Sequence, residues 1–406
     1  MEYYNIVNEK YKKVAQQPII LPQIKVELLD WNENVIGEIQ EDILTDSSSS
    51  ISVNYQQGLW RSCSLTLDNS SGKYSPDPYN NIFWINSKFK IYVGLKDINN
   101  GDIYWFSQGV YLTTNPTVNK ITKTVSISGV DKFGFLGSES GYNQLDGTYV
   151  IHADTNTYKA LKDTLKLPLG NGYIIDPIEP RLDRRYNSEI MPYDLNKAPE
   201  SYMGELFIEI ANSLGCDIYY DTEGRLNVSG GTLDMFYEDK SAVWSFSDKY
   251  TEYLNDNNGT LSYNTTDVYN VVKVVGNNIN DMTYTYTAKN YNPKSNTNIY
   301  LIGEKPIYIE SSSVYNDDRA KDYAELKLRQ NSIVQQSFEF ESSLLPHIQP
   351  NEVIEITDEY YNFETQRFIV NSTTIPLDFS GSMSISACNV AELPYWEYTP
   401  STSSDT

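Results

Sequence analysis

The sequence predicts a mainly β fold with an α+β insertion: two similar β-barrel domains flank a small α+β domain, and an N-terminal helical arm precedes them. Three observations carry this reading. Strict alternation of apolar and polar residues, the mark of a half-buried strand, dominates residues 21–137 and returns after 233. Between these blocks the apolar residues recur at helical spacing instead. Lastly, the closing strands of the first block are echoed near the end of the chain.

The arm, residues 1–20, places Ile6, Tyr11 and Val14 among lysines and glutamates and stops before Pro18, as a short helix would. The first β block, 21–137, opens with "QIKVELLD", whose Ile24, Val26 and Leu28 share one face. "DSSSS", Asp46 to Ser50, is a loop. "RSCSLTLD" then aligns Cys63, Leu65 and Leu67, and "KFKIYVGL" aligns Phe89, Ile91, Val93 and Leu95. The turn-rich "DNSSGKYSPDPYNN" separates them, and "DINNGD" makes a hairpin into "IYWFSQGVYLTT". "TVSISGVDKFGFL", Thr124 to Leu136, ends the block.

The insertion, 138–232, holds two helices. "TNTYKALKDTLKL" puts Tyr158, Leu161 and Leu165 on one face. "SYMGELFIEIANSLG" aligns Leu206, Phe207, Ile210, Ala211 and Leu214, with Gly215 as its C-terminal cap. "CDIYYDTEGRLNV" reads as a hairpin turning at Thr222–Gly224. The second β block, 233–395, contains "NVVKVVG", "MTYTYT", "EVIEIT", "RFIVNSTT" and "SMSISAC". A helix near 316–330 interrupts it, with Ala320, Tyr323, Ala324 and Leu328 on its apolar face and Glu325 one turn before Arg329. Residues 396–406, "WEYTPSTSSDT", form a disordered tail.

The repeat is specific in its order. In each block a strand with a Thr-Thr step leads through a proline-containing turn into a Ser-Ile-Ser strand. Val125, Ile127 and Gly129 match Met383, Ile385 and Ala387, and Ser126 and Ser128 match Ser384 and Ser386. Asp131 and Lys132 in the first copy invite an active-site reading. No base, nucleophile or cofactor motif stands beside them, and the second copy has Asn389 and Val390 near that position. A solvated strand-to-loop corner is therefore expected there.

Other chemistry finds little support. The 406 residues, 40% of them hydrophobic, allow a sizeable core. No apolar run approaches the about 18 residues a membrane helix needs, and the N-terminus lacks an apolar signal core, so neither membrane insertion nor signal-peptide export is expected. The three cysteines, Cys63, Cys216 and Cys388, are too scattered for a disulfide framework and read as small buried thiols. The two histidines, His152 and His347, have no metal-ligand spacing to one another or to a cysteine. "DINNGD", "DNSSG" and "NDNNG" lack the register of an EF-hand loop and read as turns. No nucleotide, hydrolase or zinc-protease motif occurs. The expectation is no catalytic, cofactor-binding or metal-binding residue and no cofactor. A net charge of −23 repels nucleic acid. The 34 tyrosines suit strand surfaces, protein interfaces or sugar platforms.

The ordered set of segments resembles the tail or baseplate hub proteins of tailed bacteriophages, most closely those from phages of Gram-positive hosts. The stretches that carry the likeness are "EKYKKVAQQPIILPQIKVELLD", "GLWRSCSLTLDNSSGKYSPDP", "KFKIYVGLKDINNGDIYWFSQGVYLTT", "VSISGVDKFGFL", "ELFIEIANSLGCDIYYDTEGRL", the helix at 316–330 and "PHIQPNEVIEITD". They span about residues 8–393 in the family's order. Many hub proteins carry a lysin or receptor-binding extension, and none is expected after the second block. The resemblance implies a non-enzymatic homotrimer whose two barrels per subunit form a pseudo-sixfold ring. It further implies partners: tail tube or distal tail proteins, a spike or fibre, the tape-measure protein, and DNA only in transit through an acidic lumen. The location implied is the virion, assembled in the bacterial host cytoplasm. A tail-associated carbohydrate-binding or cell-wall-degrading protein is the alternative.

Overall fold

The computed structural model describes residues 6–45, 49–56, 58, 60–75, 82–84, 87–136, 145, 147–168, 173–183, 186–214, 216–229, 240–250, 252–253, 259–279, 282–311 and 314–389. The Gly215 cap, the "NDNNG" turn apart from Gly259, Val390, the boundaries placed at 137/138 and 232/233, and the 396–406 tail lie outside the described residues. Packing divides the chain into two compact units. One comprises 1–235, 241–260 and 338–388, and the other 236–240, 261–337 and 389–406. Residues 261–337, which the sequence reading set within the second β block, lie in the second unit.

In the first unit the chain runs through α1 (Glu9–Ala15), β1 (Pro22–Leu29), β2 (Val35–Ile39), β3 (Ser50–Asn54), β4 (Arg61–Asp68), β5 (Lys88–Lys96), β6 (Ile103–Thr113), β7 (Thr117–Asn119) and β8 (Thr124–Asp131). It continues through β9 (Tyr149–Ile151), α2 (Thr157–Leu165), β10 (Arg181–Leu182), β11 (Leu195–Lys197), α3 (Met203–Leu214), β12 (Asp217–Tyr220), β13 (Leu226–Ser229) and β14 (Trp244–Ser247). β15 (Thr260–Asn264) leads into the second unit, which holds β16 (Val271–Ile279), β17 (Met282–Lys289), α4 (Ile299–Ile302), β18 (Pro306–Ser311) and α5 (Asp317–Asn331). β19 (Gln335–Ser343) leads back, and β20 (Val353–Asp358), β21 (Phe363–Pro376) and β22 (Ser382–Asn389) follow.

The fold is mainly β. Its strand pairing repeats within the first unit. β5 pairs β6, β6 pairs β8, and β8 pairs the earlier strand β4; likewise β20 pairs β21, β21 pairs β22, and β22 pairs the earlier strand β19. Beyond each set lies one further strand, β1 on β5 and β14 on β20, but the first is antiparallel and the second parallel. The two sets join into one continuous sheet, because β21 pairs β3 with Thr373 opposite Val53. Among the described residues no pairing closes either set into a barrel.

Alternation explains the burial. Along β8, Val125, Ile127, Gly129 and Asp131 are buried while Ser126 and Ser128 are exposed. On β22, Met383, Ile385 and Ala387 are buried while Ser384 faces water. α3 buries the predicted stripe of Leu206, Phe207, Ile210, Ala211 and Leu214 against β12 and β13. Each fully buried large side chain there contributes about 1.5–3 kcal/mol. α1 begins at Asn8, whose side chain accepts from Lys10 N and Tyr11 N, and buries Tyr11 edge-on to Phe106 at 5.0 Å. In the second unit α5 covers the sheet β17-β16-β18, burying Ala320, Ala324 and Leu328 on Val272 and Val274. No helix of the described residues is long and apolar enough to cross a membrane.

Candidate functional site

The segment that looked like chemistry is the last turn of β8. Its expected solvation is not found: Asp131 and Lys132 are both buried. The parity of the strand accounts for Asp131, which stands two residues after Gly129 and so points to the same dry face. Its carboxylate accepts from Trp60 N (3.0 Å) and Arg61 N (2.9 Å) on one oxygen. The other accepts from Phe133 N (2.9 Å), capping the 3-10 turn Lys132–Phe135. Burial pushes the carboxyl up to about 6, against the opposing pull of these N–H groups and of the Arg61 charge. Arg61, also buried, donates to Gln349 Oε1 (2.9 Å). A β-carbon at Gly109 would lie 2.8 Å from Arg61 Cδ, and with φ +122° that position requires glycine.

Lys132 enters a second buried cluster. Its Nζ lies 2.5 Å from Glu33 Oε1 and 2.8 Å from Asp176 Oδ2, with the Tyr220 ring 4.9 Å away. Lys88 Nζ donates to the same Glu33 oxygen (3.2 Å) and to Trp31 O (2.9 Å). Two cations and two carboxylates thus balance in the interior, as buried charges must. Burial, and then the neighbouring Lys132, lower the Lys88 pKa; burial raises that of Tyr220. Glu33 reaches the lysines from the turn after β1 with φ +67°, a left-handed conformation costing a non-glycine residue about 1–2 kcal/mol. The cluster links the β1–β2 turn, β5 and the end of β8 to Asp176 and to Tyr220 of β12.

This arrangement can clamp the segments that supply it. The cavity beside Lys88 and Lys132, walled by Trp31, Leu112, Phe135 and Tyr220, measures about 10 Å³, the room of a single water. The remaining sequence candidates stay apart from it. Cys63 and Cys216 are buried thiols, burial raising the Cys63 pKa, whereas Cys388 is only half-buried and donates to Asn371 Oδ1 (3.4 Å). His152 is exposed, 3.6 Å from Asp194. His347 is buried, bonded to Tyr11 Oη through Nδ1 (2.9 Å), and burial lowers its pKa to about 3, so the ring is neutral. Asp97 and Asp68 accept from the second residue after each, making the "DINNGD" and "DNSSG" segments Asx turns. Among the described residues no group of three or more His, Cys, Asp or Glu could hold a metal ion.

No protein-family model and no curated protein matches this chain. Its fold, however, is similar to those of solved tail proteins. The tail protein from Neisseria meningitidis aligns over 91% of this chain and 96% of its own, at 13% identity and a TM-score of 0.58. The 43 kDa tail protein of prophage MuSo2 from Shewanella oneidensis aligns over 91% and 98%, at 11% identity and 0.57. The prophage tail protein gp18 from Listeria monocytogenes aligns over 90% and 94%, at 11% identity and 0.51.

Proposed function

We propose that this chain is a structural hub subunit of the tail tip or baseplate of a bacteriophage or phage-like particle, acting without catalysis. Three copies form a ring that adapts a sixfold tail tube to a threefold spike or fibre and lets DNA pass. The observation that carries this is the repeated strand pathway, β4-β8-β6-β5 and β19-β22-β21-β20, in one chain. Three such chains present six similar units, which is what a three-to-six adaptor requires. The likeness in fold to solved tail proteins supports the same reading.

In this reading 21–137 and 233–395 are the two barrel-like halves of each subunit and 138–232 the insertion. The partners are the tube or distal tail proteins, the spike or fibre and the tape-measure protein. The location is the virion, after assembly in the host cytoplasm. Light scattering on the purified chain tests the stoichiometry: the expected mass is three times 46.4 kDa. A chain that stays monomeric far above micromolar concentration, with no partner added, counts against the hub. Six copies would indicate a tube or distal tail protein.

A further inference from the structure

In the second unit, the loop between β17 and β18 is framed by buried amides and hydroxyls. Asn270 donates to Thr297 O (3.0 Å) and Gly303 O (2.7 Å) and accepts from Lys305 N (2.7 Å). Asn290 donates to Ser295 Oγ (2.9 Å) and Thr297 Oγ1 (3.2 Å), and Asn298 caps α4. What this frame presents is apolar. Tyr300 is 81% exposed and Leu301 66%, Ile302 is exposed beside them, and α4 buries none of its residues. An ordered, hydrogen-bonded frame holding three consecutive large apolar side chains in water is the form of a contact surface.

The first unit carries a patch of matching character. The Ile98 N–H donates to Gln17 Oε1 (3.0 Å) and the Lys96 N–H to Leu21 O (3.1 Å), so Ile19 and Leu21 stand beside Ile98. A β-carbon at Gly381 would lie 3.0 Å from Ile20 Cβ, which brings the Phe379 turn to the same place. Ile19, Ile98 and Phe379 are exposed, Phe379 at 69%. In sequence this patch is flanked by Asp97, Asp102 and Asp378, with Lys96; the Tyr300 loop is flanked by Lys289, Lys294 and Lys305, with Glu304, which pairs with Lys289 (2.6 Å). The contrast extends further: residues 261–337 contain eight acidic and eight basic residues, in a chain of net charge −23.

We propose that Tyr300, Leu301 and Ile302 of one copy seat on the Ile19–Ile98–Phe379 patch of a second copy of this chain. The apolar centre supplies the affinity, and the opposite flanking charges set the orientation. Because the two surfaces differ, the contact is head-to-tail and propagates into a ring when its rotation closes. The inference rests on the homotrimer reading above and names the surfaces that would make it.

The test is light scattering on the full chain and on Leu301→Asp and Phe379→Asp. Each substitution places a charge in the contact and weakens association at least about tenfold. Both residues are exposed, so circular dichroism should match the parent, and thermal unfolding should differ only by what association contributes. Each variant alone is expected to be monomeric. An equimolar mixture should form a two-copy species, since each variant keeps the surface the other lacks. A variant that retains the parent mass, or a mixture that stays monomeric, overturns the contact while a trimeric parent leaves the hub reading standing. A monomeric parent overturns both.

Discussion

At Asp131 burial and hydrogen bonding pull in opposite directions, and burial wins. Three backbone N–H groups and the Arg61 charge favour the carboxylate, yet its pKa sits near 6 rather than the unperturbed 3.8. The sign of the linkage follows. Between about pH 4 and 6 the folded chain holds a proton that the unfolded chain has released. The stability this group contributes is full below the unfolded pKa and is lost as pH rises through the folded one. A gap of about two units corresponds to about 3 kcal/mol. Asp131→Asn removes the titration and costs about 1–3 kcal/mol by turning an amide N–H₂ toward a backbone donor. In urea unfolding, the parent's advantage over this variant should therefore shrink by about 2 kcal/mol between pH 4 and 6.5. A difference that stays constant across that range would mean that the carboxyl is not perturbed. Taking the difference between the two chains cancels other carboxylates, such as Asp30 and Asp68, whose side-chain hydrogen bonds to Asn34 and Ser70 lower their pKa values.

The two Ser-Ile-Ser strands show what an element-scale pattern can and cannot carry. Both bury the same alternate positions, so the face of every residue from Val125 to Asp131 was legible from parity alone. Parity puts Asp131 on the dry face as well, against the solvated corner expected there. The partners were not legible, since alternation assigns a face and never a neighbour. Nothing local to Lys132 announces Glu33 or Asp176, which come from distant turns. The same limit hid the Tyr300 loop. Four adjacent apolar residues between Asn298 and Gly303 are a visible signal, but short apolar runs normally enter the core. One difference between the copies is open to test. At Gly129 a β-carbon would lie 2.8 Å from both Cys63 Sγ and Phe89 Cζ, whereas the matching position holds Ala387. Gly129→Ala should overpack this face and cost about 1–3 kcal/mol in urea unfolding. Ala387→Gly should cost only about 0.5–1 kcal/mol, through backbone entropy. A Gly129→Ala chain as stable as the parent would show that this face is not crowded.

For the molecule as a whole, charge is the property that bears on the proposed passage of DNA. Non-specific affinity for a duplex comes from lysines and arginines that displace condensed counterions, and it grows with the number of phosphates neutralised. Here 31 basic residues stand against 54 acidic ones. Several of the basic groups are already engaged: Lys88 and Lys132 with Glu33, Lys90 with Glu223, Lys289 with Glu304. The balanced stretch 261–337 is the exception to the acidic field, and its Lys294 and Lys305 flank the loop proposed to make the contact between copies. If those lysines face a neighbouring subunit they are unavailable to phosphate, and the proposed ring would be more repulsive to DNA than the free chain. Fluorescence anisotropy with a labelled duplex, at about 150 mM salt, should accordingly show no binding by the associated protein up to about 100 μM, beyond the usual non-specific range of about 1–100 μM. Leu301→Asp, which frees those lysines, should bind no more than weakly and only when salt is lowered. Saturable binding of the associated protein at micromolar concentration, weakening as salt is raised, would mean that it grips DNA, and a channel through which DNA slides would then be the wrong description of its function.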